Sequence, residues 1–325
     1  MSSKRSAARR ALVAIVAVTL SVALIGCTLN GRTQRTGEKV PEDSRRATTA
    51  GSITETGNGD FSFEGPGKFA DHPIRVWYNA PPGSLADAHI LIVMTGAQRD
   101  GEAYRADWVP LVAGQKTLLL VPEFSEKEYP GVSSYNLGGM VDRRGKLQPD
   151  DTWNFQLIEL LFDHVIADIG SSATDYAIFG HSAGAQFVHR FVEFMPHSRA
   201  RLAVAANAGW YTVPDDETEF PYGTDGAPLA SGDMAAAFSR RLIVMLGADD
   251  TDPNDESLQR DTRTDTQGKN RLLRGLFYYQ AARKAAGTSM PFNWQLVTVP
   301  GVAHSHKDMA RAAAPYLLSA TPSPG

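Results

Sequence analysis

The sequence predicts an α/β protein: a mostly parallel central sheet of about eight strands with helices on both faces. Three observations lead there. Short, near-continuous apolar runs recur along the chain, among them Ile90–Met94, Leu118–Val121, Tyr176–Phe179 and Ile243–Leu246. A strand that is apolar at every position is buried on both faces, as parallel strands under helices are. Between such runs lie stretches of helical spacing. Leu157, Ile158, Leu161, Val165 and Ile169 share one face of a helix expected over Thr152–Ile169. Finally, strands and helices alternate instead of segregating into blocks.

The strands expected are Phe61–Phe63, Ile74–Asn79, Ile90–Met94, Leu118–Val121, Tyr176–Phe179, Leu202–Ala206, Ile243–Leu246 and Gln295–Val299. The helices expected are Glu102–Val112, Thr152–Ile169, Ala185–Met195, Arg271–Ala286 and His306–Leu318. No helix separates the first two strands, so they are expected to pair antiparallel.

The ends of the 325-residue chain read differently from its middle. Residues 1–26 resemble an export signal: Lys4, Arg5, Arg9 and Arg10 precede an apolar stretch, Ala11–Ile25, broken only by Thr19 and Ser21. That stretch is shorter than the ~18–20 residues a membrane span needs. It ends Leu24-Ile25-Gly26-Cys27, similar to a bacterial lipobox, in which cleavage after Gly26 frees the Cys27 amine and the thiol carries a diacylglyceryl group. Cys27 is the sole cysteine, and lipidation explains both its place and its solitude. Residues 27–50 are polar and without apolar period, a lipid-anchored flexible tether. Residues 51–325 are then one domain of normal size for a single α/β core.

The chain has a formal charge of −4. Four positive residues lie in 1–26, and 28–50 carries five basic against three acidic residues, which leaves 51–325 at about −10. An acidic domain with no basic stripe argues against a nucleic-acid partner. No metal-ligand spacing and no internal repeat is evident in the sequence, and no cofactor is expected.

The most informative segment is Gly180-His181-Ser182-Ala183-Gly184, between the strand Tyr176–Phe179 and a helical stretch. This is G-x-S-x-G in a strand–turn–helix setting, where small residues on either side let the turn hold a serine hydroxyl above the sheet. The Ala183 amide then faces any oxyanion that forms at Ser182. A serine nucleophile needs a base, and the base an orienting acid, in the chain order Ser, Asp or Glu, His. The strand Ile243–Leu246 runs into Gly247-Ala248-Asp249-Asp250-Thr251-Asp252-Pro253. Asp249, Asp250 and Asp252 are the candidate acids. Asp252 before Pro253 also reads as a helix N-cap. The last strand runs into Pro300-Gly301-Val302-Ala303-His304, making His304 the candidate base and His306 its rival. His181 is expected to support the elbow. His72, His89, His164, His189 and His197 have no partner pattern and default to surface or core-edge positions. The second oxyanion donor is expected from the turn after Ile90–Met94, at the amide of Ala97 or, alternatively, Gln98.

Two segments follow strand ends and carry aromatics: Ser125–Asp151, with Tyr129, Tyr135 and Met140, and Trp210–Met234, with Tyr211, Phe220 and Tyr222. They either line a substrate pocket or cover the sheet edge.

Together these features resemble the α/β-hydrolase superfamily over nearly all of Gly51–Leu318. Val93–Trp108, Val121-Pro122-Glu123-Phe124, Tyr135-Asn136-Leu137-Gly138 and the terminal Pro-Gly-Val-Ala-His look like small bacterial esterases near polyhydroxyalkanoate depolymerases and dienelactone hydrolases. The resemblance implies Ser182, Asp250 and His304 as triad and Ala97 and Ala183 as oxyanion hole. Together with the export signal, the leading reading is a lipid-anchored hydrolase of small or polymeric carboxylic esters on the extracytoplasmic face of a bacterial membrane. A serine peptidase or amidase, and an inactive binding lipoprotein, remain as alternatives.

Overall fold

A computed structural model describes residues 51–230 and 232–319. The expected signal peptide, Cys27 and the tether lie outside the described residues. The eight strands are β1 (Gly57–Phe63), β2 (Ile74–Ala80), β3 (His89–Met94), β4 (Thr117–Glu123), β5 (Tyr176–His181), β6 (Ala200–Ala206), β7 (Leu242–Gly247) and β8 (Gln295–Val299). They form one sheet in the order β1-β2-β4-β3-β5-β6-β7-β8. β1 and β2 pair antiparallel, as does β2 with β4, and all remaining pairs are parallel.

The continuous apolar strands have a simple cause. Successive side chains point to opposite faces, and both faces are covered. Ile90, Ile92 and Met94 of β3, with Tyr176 and Ile178 of β5, join one buried cluster; Leu91, Val93, Ala177 and Phe179 join the other. The first cluster lies under α3 (Gln156–Asp168), α4 (Ala183–Phe194) and α7 (Arg271–Ala286). The second lies under α1 (Gly101–Val112) and α8 (His306–Leu317). α4 is buried along its whole length, including its polar stripe Gln186, His189, Arg190 and Glu193.

Two expectations are corrected, and three short helices are added. The helix expected over Thr152–Ile169 begins only at Gln156: residues 150–152 form a short 3-10 turn, Trp153 is extended, and the Asn154 amide donates to Gly138 at 2.6 Å, which docks the preceding loop. No helix follows Asp252-Pro253. Asp252 instead accepts the Asn254 amide at 2.8 Å in a local turn, because the residues after it have no apolar period to bury. The short helices α2 (Gly131–Ser134), α5 (Asp233–Ser239) and α6 (Thr262–Gln267) were not expected.

Candidate active site

At the carboxyl edge of the sheet, Met94 pairs with Gly180, His181 with Ala206, and Gly247 with Val299. The loops leaving β3, β5, β7 and β8 therefore meet. β3 and β5 are also the neighbours between which the strand order changes direction, the place where open α/β sheets form a crevice.

Ser182 sits between β5 and α4 with φ 57 and ψ −114, a conformation L side chains rarely adopt. Its neighbours explain the two glycines. A Cβ on Gly180 would lie 2.2 Å from the Gly184 carbonyl oxygen, and a Cβ on Gly184 would lie 2.4 Å from that of Met94. Both are hard backbone collisions, so the elbow closes only with glycine at both positions.

His304 Nε2 is 3.0 Å from Ser182 Oγ, and His304 Nδ1 is 2.7 Å from Asp250 Oδ2. Asp250 is 4 % exposed, whereas Asp249 and Asp252 face solvent. Of the three aspartates, Asp250 is thus the one in contact with the imidazole. His306 turns the other way: its Nδ1 is 2.7 Å from Asp107 Oδ2, and its ring stacks on Tyr104 at 4.5 Å. His181 is hydrogen-bonded through Nδ1 to Tyr104 Oη at 3.1 Å and lies 4.6 Å from the His304 ring. Burial, then the nearby His304, His306 and Arg271, push its pKa well below the usual imidazole value, so it stands beside His304 as a neutral support.

Asn207, just past β6, ties the acid loop to the histidine loop. Its Oδ1 accepts the Gly247 amide at 2.7 Å, and its Nδ2 donates to the Ala303 carbonyl at 3.0 Å. Its φ of 52 suits asparagine better than most residues. Its position at a strand end, in Ala206-Asn207-Ala208-Gly209, is the one signal it leaves in the sequence. Of the remaining histidines, His189 departs most from expectation. It is fully buried, with Nδ1 at 2.9 Å from the Ala185 carbonyl and Nε2 accepting the Thr212 amide at 3.1 Å.

Ser182 and Ala183 open onto a cavity of about 370 Å³ whose walls include Ala97, Asn136, Gln186, Trp210 and Leu258. Ala97 lines it, and Gln98 is not among its lining residues. Glu126, Gly131, Val132, Trp210 and Gln259 also border a second, open space of about 930 Å³, so the two form one groove. The aromatic segments divide between the two roles expected of them. Tyr129, Tyr135, Met140 and Tyr211 join the core, while Trp210, Phe220 and Tyr222 line the groove. Behind the wall, Arg190 is fully buried. It donates to the Asn136 and Gln186 carbonyls at 3.1 and 3.0 Å and to Thr212 Oγ1 at 2.8 Å, under the Trp210 ring. Burial lowers the Arg190 pKa and raises that of the adjacent Glu193, which accepts from Tyr278 Oη at 2.7 Å.

Among the described residues, no group of three or more His, Cys, Asp or Glu is placed to hold a metal ion. A scan against protein-family models finds no match, and a search of curated proteins finds none. Solved structures do match. Poly(aspartic acid) hydrolase-1 from Sphingomonas sp. KT-1 is 41 % identical, with TM-score 0.77 over 82 % of this chain and 100 % of that one. LpqC, a poly(3-hydroxybutyrate) depolymerase from Bordetella parapertussis, is 31 % identical, with TM-score 0.77 over 83 % and 92 %. The S-formylglutathione hydrolase of Staphylococcus aureus, 12 % identical with TM-score 0.50 over 83 % and 100 %, is similar in fold alone.

Proposed function

This chain belongs to the α/β-hydrolase superfamily, and on that premise we propose that it is a serine hydrolase cleaving carboxylic esters through an acyl-enzyme. The observation that carries the reading is the relay Asp250–His304–Ser182, spaced 2.7 and 3.0 Å, on a strained elbow that opens into a groove. Ser182 Oγ attacks the ester carbonyl while His304 takes its proton. The amides of Ala183 and Ala97 stabilise the oxyanion, and His304 returns the proton to the leaving alcohol. Water, deprotonated by His304, then releases the acyl group. Asp250 holds the imidazole in the required tautomer throughout.

The groove supports a long or polymeric substrate, since about 930 Å³ of open, partly aromatic surface continues beyond the nucleophile. The likeness to a poly(3-hydroxybutyrate) depolymerase supports the ester reading. A second reading, hydrolysis of an amide-linked polymer by the same relay, is favoured by the 41 % identity to a poly(aspartic acid) hydrolase. A fluorophosphonate probe should label the purified protein at one residue, Ser182. Nitrophenyl esters of graded chain length should be cleaved faster than a peptide panel and polyaspartate. Absence of labelling removes the serine mechanism; preference for the amide substrates replaces the first reading by the second.

We also propose, from the sequence of residues 1–27, that the protein is lipid-anchored at Cys27 on the extracytoplasmic face of a bacterial membrane. Among the described residues, no helix is long and apolar enough to cross a membrane. Two acyl chains anchor stably, each buried CH₂ contributing ~0.8 kcal/mol. Metabolic labelling with a fatty-acid analogue should mark the wild-type protein in the membrane fraction and leave Cys27→Ala unlabelled. An unlabelled, soluble wild-type form in the medium is the result that overturns the anchor.

A further inference from the structure

One buried charge beside the relay has no part in the mechanism above. Arg271, the first residue of α7, is 1 % exposed. Its Nη1 lies 3.3 Å from Asp250 Oδ1, and its Nη2 lies 3.2 Å from Asp255 Oδ1 and 2.8 Å from Ser257 Oγ. The start of α7 is fastened to the same loop twice more. The Leu272 amide donates to the Asp250 carbonyl at 3.2 Å, and Asn270 Nδ2 donates to the Thr251 carbonyl at 3.1 Å.

We propose that Arg271 and Asp255 form a clamp that positions Asp250 and sets the charge felt by His304. The inference rests on the serine-hydrolase reading and deepens it. The first part of the argument is geometric. The terminal torsion of an aspartate is broad and roughly two-fold, so a carboxylate held by one contact rocks. Arg271 holds Oδ1, which leaves Oδ2 directed at His304 Nδ1.

The second part is electrostatic. A buried guanidinium needs a counter-charge. If Asp250 were its sole partner, one carboxylate would be divided between Arg271 and the imidazolium that forms during the reaction. Asp255 supplies the other negative charge. Burial alone would raise its pKa, but hydrogen bonds from Ser257 and Arg271 outweigh this and hold it well below the usual carboxylate range. With the imidazole neutral, as a general base must be, Arg271, Asp250 and Asp255 leave the cluster with one net negative charge. Proton transfer from Ser182 to His304 brings it to zero.

The surroundings do not duplicate this arrangement. Arg274, one turn along α7, is paired with Asp265 at 3.3 Å. From the other side His304 meets Ser182 and the neutral ring of His181. The clamp also borders the cavity, which Ser257 and its neighbours Glu256, Leu258 and Gln259 line.

The test is the kcat, KM and pH profile of Arg271→Lys, Arg271→Met and Asp255→Asn on a soluble nitrophenyl ester, each shown to be folded by circular dichroism. Wild type and Ser182→Ala are run alongside. Each clamp variant should lose about 10–100-fold in kcat with a smaller change in KM, as losses of an orienting partner do. The acidic limb of kcat/KM should move in opposite directions. Asp255→Asn removes a negative charge and makes protonating His304 harder, shifting the limb to lower pH. Arg271→Met removes a positive charge and shifts it to higher pH. A purely structural defect has no reason to give opposite signs. If Arg271→Met does not fold, Asp255→Asn decides alone, since its side chain is partly exposed. An unmoved limb with kcat within about twofold of wild type overturns the clamp. Activity surviving in Ser182→Ala overturns the underlying reading instead, so the two failures are distinct.

Discussion

Ser182→Ala should retain the fold and lose kcat by about 10³–10⁶-fold, the scale of losing a triad nucleophile. The structure separates the two effects. The strain at Ser182 resides in its backbone, with φ 57, and alanine has the same Cβ and meets it equally. The hydroxyl makes no cap bond to α4. What is lost is the 3.0 Å contact to His304 and the atom that attacks. The melting temperature should therefore stay within about 4 °C, the shift expected for ~1 kcal/mol. More than a few per cent of the wild-type esterase rate in the alanine variant would rule out Ser182 as nucleophile.

Asp250→Asn should cost about 10⁴-fold in kcat, because an amide facing His304 Nδ1 favours the wrong tautomer. It should also lower stability. Arg271 would lose one of its two carboxylates but keep Asp255, so the cost should stay below the about 3–5 kcal/mol of leaving a buried charge unpaired. The assay accordingly includes a denaturation curve. Asp252→Asn is the control. Its carboxylate is exposed and accepts only the Asn254 amide, a bond asparagine makes equally well, so rate and stability should barely change. Equal, small losses in both variants would shift the role of acid to Asp249 or to another carboxylate.

Much of this architecture was legible in the sequence, for reasons that can be named. Strands buried on both faces announce themselves as apolar runs, and Arg271–Ala286 and Gln295–Val299 match the observed elements end to end. The elbow is legible because its two glycines, the serine and the flanking strand and helix all fall within one short stretch of chain, although the atom that excludes a side chain at Gly184 is the distant Met94 carbonyl. Other features depend on distances the chain does not reveal. Whether the contact falls to Asp249, Asp250 or Asp252 is decided by which carboxylate the loop turns inward. Arg271 lies 21 positions from Asp250 and reads like any helix-start arginine; only packing makes it a buried counter-ion. The short helix α6 is set by its capping box, Asp261 with Thr264, and not by any apolar period.

The position of β8 has a consequence for when this protein becomes reactive. His304 follows an edge strand of the sheet and is 122 residues from Ser182, the serine it contacts. A nascent or truncated chain can complete the elbow while the segment that supplies its base is still missing. In that interval the serine is an ordinary alcohol, with no group to take its proton. On the proposed mechanism, chain order thus builds in latency: the protein stays inert toward its surroundings until its C-terminal edge has docked.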